Sequence, residues 1–146
     1  MSRRLGIDFG SQRMGLAISD ETGVIALPLP TVAIRGARHA RQAVAEICVA
    51  RAVQKIVLGL PLDMQGRAGP AAEAVLHFAA QLREDTALPV ETWDERLSTS
   101  MAERMLIGGN VRRARRRDLR DQVAAQIILQ SYMDAHGSGP EPSPPA

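Results

Sequence analysis

Two consecutive runs that alternate with period two open the chain, and they fix most of what it can become. In RLGIDFG, residues 4 to 10, Leu5, Ile7 and Phe9 face one side of a strand, and Gly6, Asp8 and Gly10 face the other. After a GSQR turn, MGLAISD repeats the pattern, with Met14, Leu16 and Ile18 opposite Gly15, Ala17 and Ser19, so a hairpin is expected. VIALPLPTVAI then reads as a third strand, and Pro28 and Pro30 assign it an edge position or an irregular end. Beyond it the period changes. Helical spacing runs from Ala37 to about Val53, KIVLGLP is a short apolar run typical of a central parallel strand, and Gly66 to Gly69 form a loop. Pro70 suits the first turn of a helix over 71–84, PVETW is a further strand, and a helix from about Ser98 to Ile107 stops at Gly108 and Gly109. NVRRARRR is expected as a loop, residues 118–135 as a helix with Ala124, Ala125, Ile128 and Leu129 inward, and the Pro/Gly/Ser-rich stretch 136–146 as a disordered tail. Meander strands followed by strands alternating with helices imply an α/β fold. Its central sheet would be mixed, with about five strands and helices on both faces, in one domain over 1–135.

Several function classes drop out at once. No apolar run approaches the roughly 18 residues of a membrane span, and the N-terminus lacks the pattern of a secretory signal, so a cytoplasmic location without membrane contact is expected. Cys48 is the only cysteine and sits in the apolar pattern of AVAEICVA, which makes it a core residue. His39, His77 and His136 have no zinc-ligand spacing. The net charge of +2 hides a strong polarity: residues 96–120 hold eight arginines against Glu103 and Asp118, a local balance of +6 that leaves −4 elsewhere.

Three carboxylates stand out. Asp8 lies mid-strand, where an unpaired charge is costly, and its face neighbours Gly6 and Gly10 would clear room for an ion or a phosphate. An ion pair with Arg13 is the simpler alternative. Glu95 falls at the end of the PVETW strand, where α/β sheets carry functional groups, although it could equally open the turn that Ser98 or Thr99 caps. Asp121 precedes Ala124, Ala125 and Ile128 on the inward face of the last helix, with Asp118 as a rival one turn earlier. Oxygen ligands without imidazole or thiolate describe a hard-cation site for Mg²⁺ or Mn²⁺. Two such ions roughly 4 Å apart would activate water and stabilise a leaving oxygen in phosphodiester hydrolysis.

LGIDFGSQRMGLAISD, IVLGLPLDMQGRAGP, ETWDERLSTSMAE and DQVAAQIILQSYMD together resemble the YqgF/RuvX family of bacterial proteins, over residues 4 to 134. The resemblance implies a ribonuclease H-like fold and a nuclease that matures the 5′ end of 16S ribosomal RNA or resolves Holliday junctions. It implies Asp8, Glu95 and Asp121 as the catalytic, metal-binding acids, preferring Asp121 to Asp118. It also aligns Gly59, Pro61 and Gly66 with a family loop beside the active site, to which Gly10 is added here. Gln65 and Arg67 depart from the family pattern, in which an acidic and a small polar residue are commoner at those positions.

The GIDFGS turn also resembles the first phosphate loop of actin-like kinases and ATPases, but those need two such domains to close over a nucleotide. A non-catalytic RNA-binding ribosome-assembly factor is the stronger rival, since the arginine run alone would bind. Arg13, Arg96, Arg112, Arg113, Arg115, Arg116 and Arg117 are the expected nucleic-acid contacts. No aromatic residue interleaves them, so backbone phosphate and duplex shape are the expected targets, in structured RNA or branched DNA. Junction resolution would favour a homodimer, whereas trimming an RNA end can be done by a monomer.

Overall fold

Each period-two run becomes a strand. In the computed structural model, which describes residues 3–97 and 113–136 and the stretch 113–121 as backbone only, β1 (Arg3–Phe9), β2 (Arg13–Ser19) and β3 (Ala26–Ala33) form an antiparallel meander. Then follow α1 (Ala37–Ala50), β4 (Val53–Leu60), α2 (Pro70–Thr86), β5 (Val90–Asp94), a single 3₁₀ turn (Glu95–Leu97) and α3 (Arg113–His136). The expected helix over 98–107 and the tail after His136 lie outside the described residues. The sheet order is β3-β2-β1-β4-β5, with β4 parallel to β1 and β5 parallel to β4. Pro28 and Pro30 are thus on an edge strand, as expected from their missing N–H groups.

Alternation along the strands sorts side chains into two cores. Leu5, Ile7, Met14, Leu16, Ile56 and Leu58 meet α1 and α2, whose buried faces are Ala40, Val44 and Cys48 and then Val75, Phe78, Ala79 and Leu82. Ala17, Ala26 and Val57 face the other way, against Ala125, Ile128, Leu129, Tyr132 and Met133 of α3. Cys48 is a core residue, and burial pushes its thiol up to about 11, out of the reactive range.

α3 is fixed along its length. The Gln126 side-chain amide donates to the Ala26 carbonyl at 3.0 Å, while Gln130 accepts from the Ala26 N–H at 2.9 Å and donates to the Val24 carbonyl at 2.8 Å. These glutamines satisfy backbone groups at the start of the edge strand. Further along, the Tyr132 hydroxyl donates to Glu91 at 2.6 Å, Lys55 pairs with the same carboxylate at 2.9 Å, and the Tyr132 ring stacks on His136.

Two expectations are corrected. α1 stops at Ala50, because Ala52 takes a left-handed φ of 53° that turns the chain into β4. The basic segment is not a loop from Arg113 onward, since Arg113, Arg115, Arg116 and Arg117 lie in the first turns of α3. Arginine is a good helix former, and once the packed half of a helix has nucleated, extension by a turn or two costs little. The density of charge does not break the helix. Arg112 lies outside the described residues.

Candidate active site

β1, β4 and β5 run parallel, so their carboxyl ends lie side by side, with Ile7 opposite Leu58 and Leu60 opposite Asp94. Asp8 is the penultimate residue of β1 and Gly59 that of β4, and the 3₁₀ turn after β5 carries Glu95 back over β4. A Cβ placed on Gly59 would lie 2.7 Å from Glu95 Oε1 and 2.5 Å from Ile128 Cδ1. The absent side chain of Gly59 is therefore the space that the Glu95 carboxyl occupies.

Asp8 and Glu95 meet there. Burial, the negative charge of Asp8, a hydrogen bond with Asp8 and the charge of Asp94 together raise Glu95 to about 7. Below about pH 7 the two carboxyls therefore share a proton between them. Asp94 behaves differently: hydrogen bonds from Arg96 hold it below the usual carboxylate range. Arg96 Nη2 donates to Asp94 Oδ2 at 2.6 Å and Arg96 Nε donates to it at 2.9 Å, which fixes one cation beside the acidic pair.

The other expected site residues divide. Gly10 follows β1, but a Cβ there would meet the Arg13 carbonyl oxygen at 2.7 Å, and its N–H donates to that carbonyl at 3.0 Å. Its smallness serves the β1–β2 turn. Gly6 likewise clears no ion site, because a Cβ there would lie 2.7 Å from Leu129 Cβ and 3.1 Å from the Ala125 carbonyl. Sequence reasoning saw that these positions are small and assigned the space to an ion, whereas helix packing and a turn fill it. Gly59, which the family resemblance sets beside the active site, is the glycine whose missing side chain leaves room for Glu95. Arg13 opens β2, and Pro61 follows β4 directly. Gly66 has φ 81°, and a Cβ there would come within 3.5 Å of both terminal nitrogens of Arg96, so the 62–68 loop rests against the site's arginine. Asp121 lies in α3, one turn before Ala125. Among the described residues, no three His, Cys, Asp or Glu side chains converge.

Substituting Gly59 with alanine tests this packing. The added methyl must displace Glu95 or Ile128, and overpacking of this kind costs about 1–3 kcal/mol. Gly59→Ala is expected to melt lower than the parent and to shift the Glu95 titration, which carboxylate-resolved NMR would follow.

The fold is shared with two solved structures. Thermus thermophilus RuvC in complex with a Holliday junction substrate superposes with a TM-score of 0.61 at 13% identity, covering 94% of this chain and 99% of that one. The fowlpox virus Holliday junction resolvase gives 0.53 at 16% identity, covering 91% and 99%. The five-stranded mixed sheet is that of the ribonuclease H-like fold. Residues 2–135 match the family described as "RuvX: Holliday junction resolvase", and the chain belongs to that family. A Geobacillus kaustophilus protein named "Putative pre-16S rRNA nuclease" is 48% identical over 135 residues, covering 91% of this chain and 98% of its own length. A Myxococcus xanthus protein of the same name is 46% identical, covering 92% and 89%.

Proposed function

We propose that this chain is a divalent-metal-dependent nuclease that matures the 5′ end of precursor 16S ribosomal RNA in the cytoplasm. The observation that carries the reading is the contact of two carboxyls, Asp8 and Glu95, at the carboxyl ends of the parallel strands β1 and β5, across β4. Such a pair is held together at a cost that a cation would remove. The names of the relatives at 46–48% identity support the substrate.

Asp121 is the third acid of the proposal, and simple distances support it. Ala125 and Leu129 pack on Gly6. Two strand residues beyond Gly6, about 6.6 Å along, stands Asp8, and one helical turn back from Ala125, about 6 Å, stands Asp121. Both steps lead to the same end of the sheet, because α3 runs against β1.

Asp8, Glu95 and Asp121 would hold Mg²⁺ or Mn²⁺, whose oxygen preference they match and which, when bound, supplies Lewis acidity to the phosphodiester and its attacking water. The chain's own contribution is positional. Gly59 seats Glu95 against Asp8, Asp94 fixes Arg96 beside them, and the backbone of α3 brings a basic turn to the same end of the sheet. Arg96 is then placed to neutralise a phosphate oxygen next to the scissile bond.

Arg112, Arg113, Arg115, Arg116 and Arg117 supply the long-range attraction. Because most of this run is helical, glutamine is the substitution that removes charge while keeping helix propensity. The five-glutamine variant is expected to melt like the parent, to bind RNA more weakly across sequences, and to show a flatter salt dependence. Each lost phosphate contact should reduce the slope by roughly 0.7 to 0.9. Filter binding over a salt series checks it, and unchanged affinity and slope would refute the assignment.

The decisive experiment compares cleavage of a precursor rRNA fragment with that of a matched four-way DNA junction, in Mg²⁺ and in Mn²⁺. The family description favours branched DNA as the second reading, so junction cutting by a homodimer is the outcome that would displace the RNA assignment. Binding of RNA with no cut in either would favour an assembly factor.

A further inference from the structure

Between β4 and α2 the chain makes a short lip beside the acidic pair, and this lip holds an apolar side chain out in water. Leu62 bridges to Ala68, and Asp63 closes the turn between them. The Asp63 carboxylate accepts from the backbone N–H groups of Gln65 at 2.9 Å and Arg67 at 2.8 Å and from Arg67 Nε at 3.0 Å, while the Gly66 N–H donates to the Asp63 carbonyl at 2.9 Å. At the tip of this tied loop sits Met64, 92% exposed.

Single exposed apolar residues are ordinary, and Val49, 85% exposed on α1, needs no function. Met64 differs in its surroundings. The loop that carries it rests on Arg96 through Gly66, and Arg96 adjoins Glu95 in sequence and is clamped by Asp94. Arg67 has a side chain 74% exposed on the same loop. An apolar tip on a loop that carries one exposed guanidinium group and rests on another, near the acidic pair, matches the chemistry of a nucleotide, a base face with phosphates beside it. Methionine is suited to that contact because its unbranched thioether adapts to a flat surface, and methionine is among the side chains that wedge against base steps.

We propose that the 62–68 loop is a base-contacting lip, with Met64 packing on a nucleobase of the bound strand near the scissile phosphate while Arg67 and Arg96 hold the flanking phosphates. The proposal rests on the nuclease reading above and adds to it the residue that sets where along the strand the cut falls.

The test uses the full chain carrying Asp8→Asn, so that the bound strand stays intact. Its probe is an RNA stem–loop with a 5′ extension, in which a fluorescent adenine analogue is stepped along the strand. At one position near the stem junction, fluorescence should change on binding. In that background Met64→Ala and Met64→Gln should abolish the change and weaken binding about tenfold, the scale of losing one buried methionine contact, with the salt slope unaltered. Met64→Leu should retain both. Arg67→Gln should instead lower the salt slope by one phosphate's share, roughly 0.7 to 0.9, and leave the fluorescence change in place. With Asp8 restored, Met64→Ala should shift the cut site or spread it over neighbouring positions. Parent affinity and parent fluorescence in both Met64→Ala and Met64→Gln would overturn the lip alone. A weakening accompanied by a lower melting temperature would also overturn it, since an exposed tip should not alter stability. Failure of the unmodified chain to bind or cut either this RNA or a four-way junction would overturn the nuclease reading, and the lip with it.

Discussion

An Asp8→Asn variant is expected to lose hydrolysis by about a thousandfold or more while remaining fully folded. The loss follows from the position of Asp8: it is the strand carboxylate against which Glu95 is pressed, and metal-assisted charge stabilisation accounts for several kcal/mol of such a barrier. Stability should move the other way. In the metal-free parent, Glu95 titrates at about 7 when folded and near 4.5 when unfolded, so the folded state holds the extra proton between those values. Its stability therefore falls as pH rises from about 4.5 through 7 and levels off above. Asparagine at position 8 removes the repelling charge, lets Glu95 ionise more readily, and should flatten that fall. Melting curves in chelator from pH 4.5 to 8 check the sign, and added Mn²⁺ should stabilise the parent increasingly up to about pH 7 but the variant much less. Parent-like cleavage by Asp8→Asn at saturating Mn²⁺ would show that the acidic pair is not the reaction centre.

How far the sequence alone leads depends on whether a residue's role is local. Leu5, Ile7 and Met14 declare their strands because alternation is written into neighbouring positions, and Val75, Phe78 and Leu82 declare α2 for the same reason. Pro28 and Pro30 locate an edge because a missing N–H has a single tolerable place in a sheet. Glycines do not work this way. Gly6, Gly10 and Gly59 look alike in sequence, yet one admits Leu129, one makes a turn and one seats Glu95. Only the packing of α3 and the register of β4 on β5 tell them apart. The arginine run misled for a related reason, since helix termini are set by nucleation elsewhere in the helix and not by the charge of the residues added. Asp63 carries no signal in the sequence, because its partners are backbone N–H groups two and four residues on, an arrangement that sequence shows as nothing more than an Asp a few residues before a glycine. Asp8 and Glu95 stand out in the sequence because a carboxylate in or at the end of an apolar strand is costly without a partner, but each has a local structural alternative there, and only the sheet order and the turn after β5 show that they meet.

Asp121 and Asp118 supply the sharpest contrast, because the two acids share a helix and a charge and differ in register. Asp121 stands four residues before Ala125 and seven before Ile128, both buried against the sheet, so its backbone position is in register with them. Asp118 precedes Ala125 by seven residues and therefore lies near that register too, but three residues, about 4.5 Å, farther from Gly6 and the strand ends. Distance is what separates them. A carboxylate must reach a cation at about 2.0 to 2.6 Å to ligate it, and three further residues of helix remove that reach. Asp121→Asn is accordingly expected to reduce cleavage by about a hundredfold or more and to weaken Mn²⁺ binding, measured by calorimetry on the full chain. Asp118→Asn should stay within about threefold of the parent in both. Helix stability offers no confounding difference, since asparagine and aspartate have similar propensities. Equal losses from the two substitutions would mean that α3 enters the site one turn farther along than its contacts with Gly6 and Gly59 require.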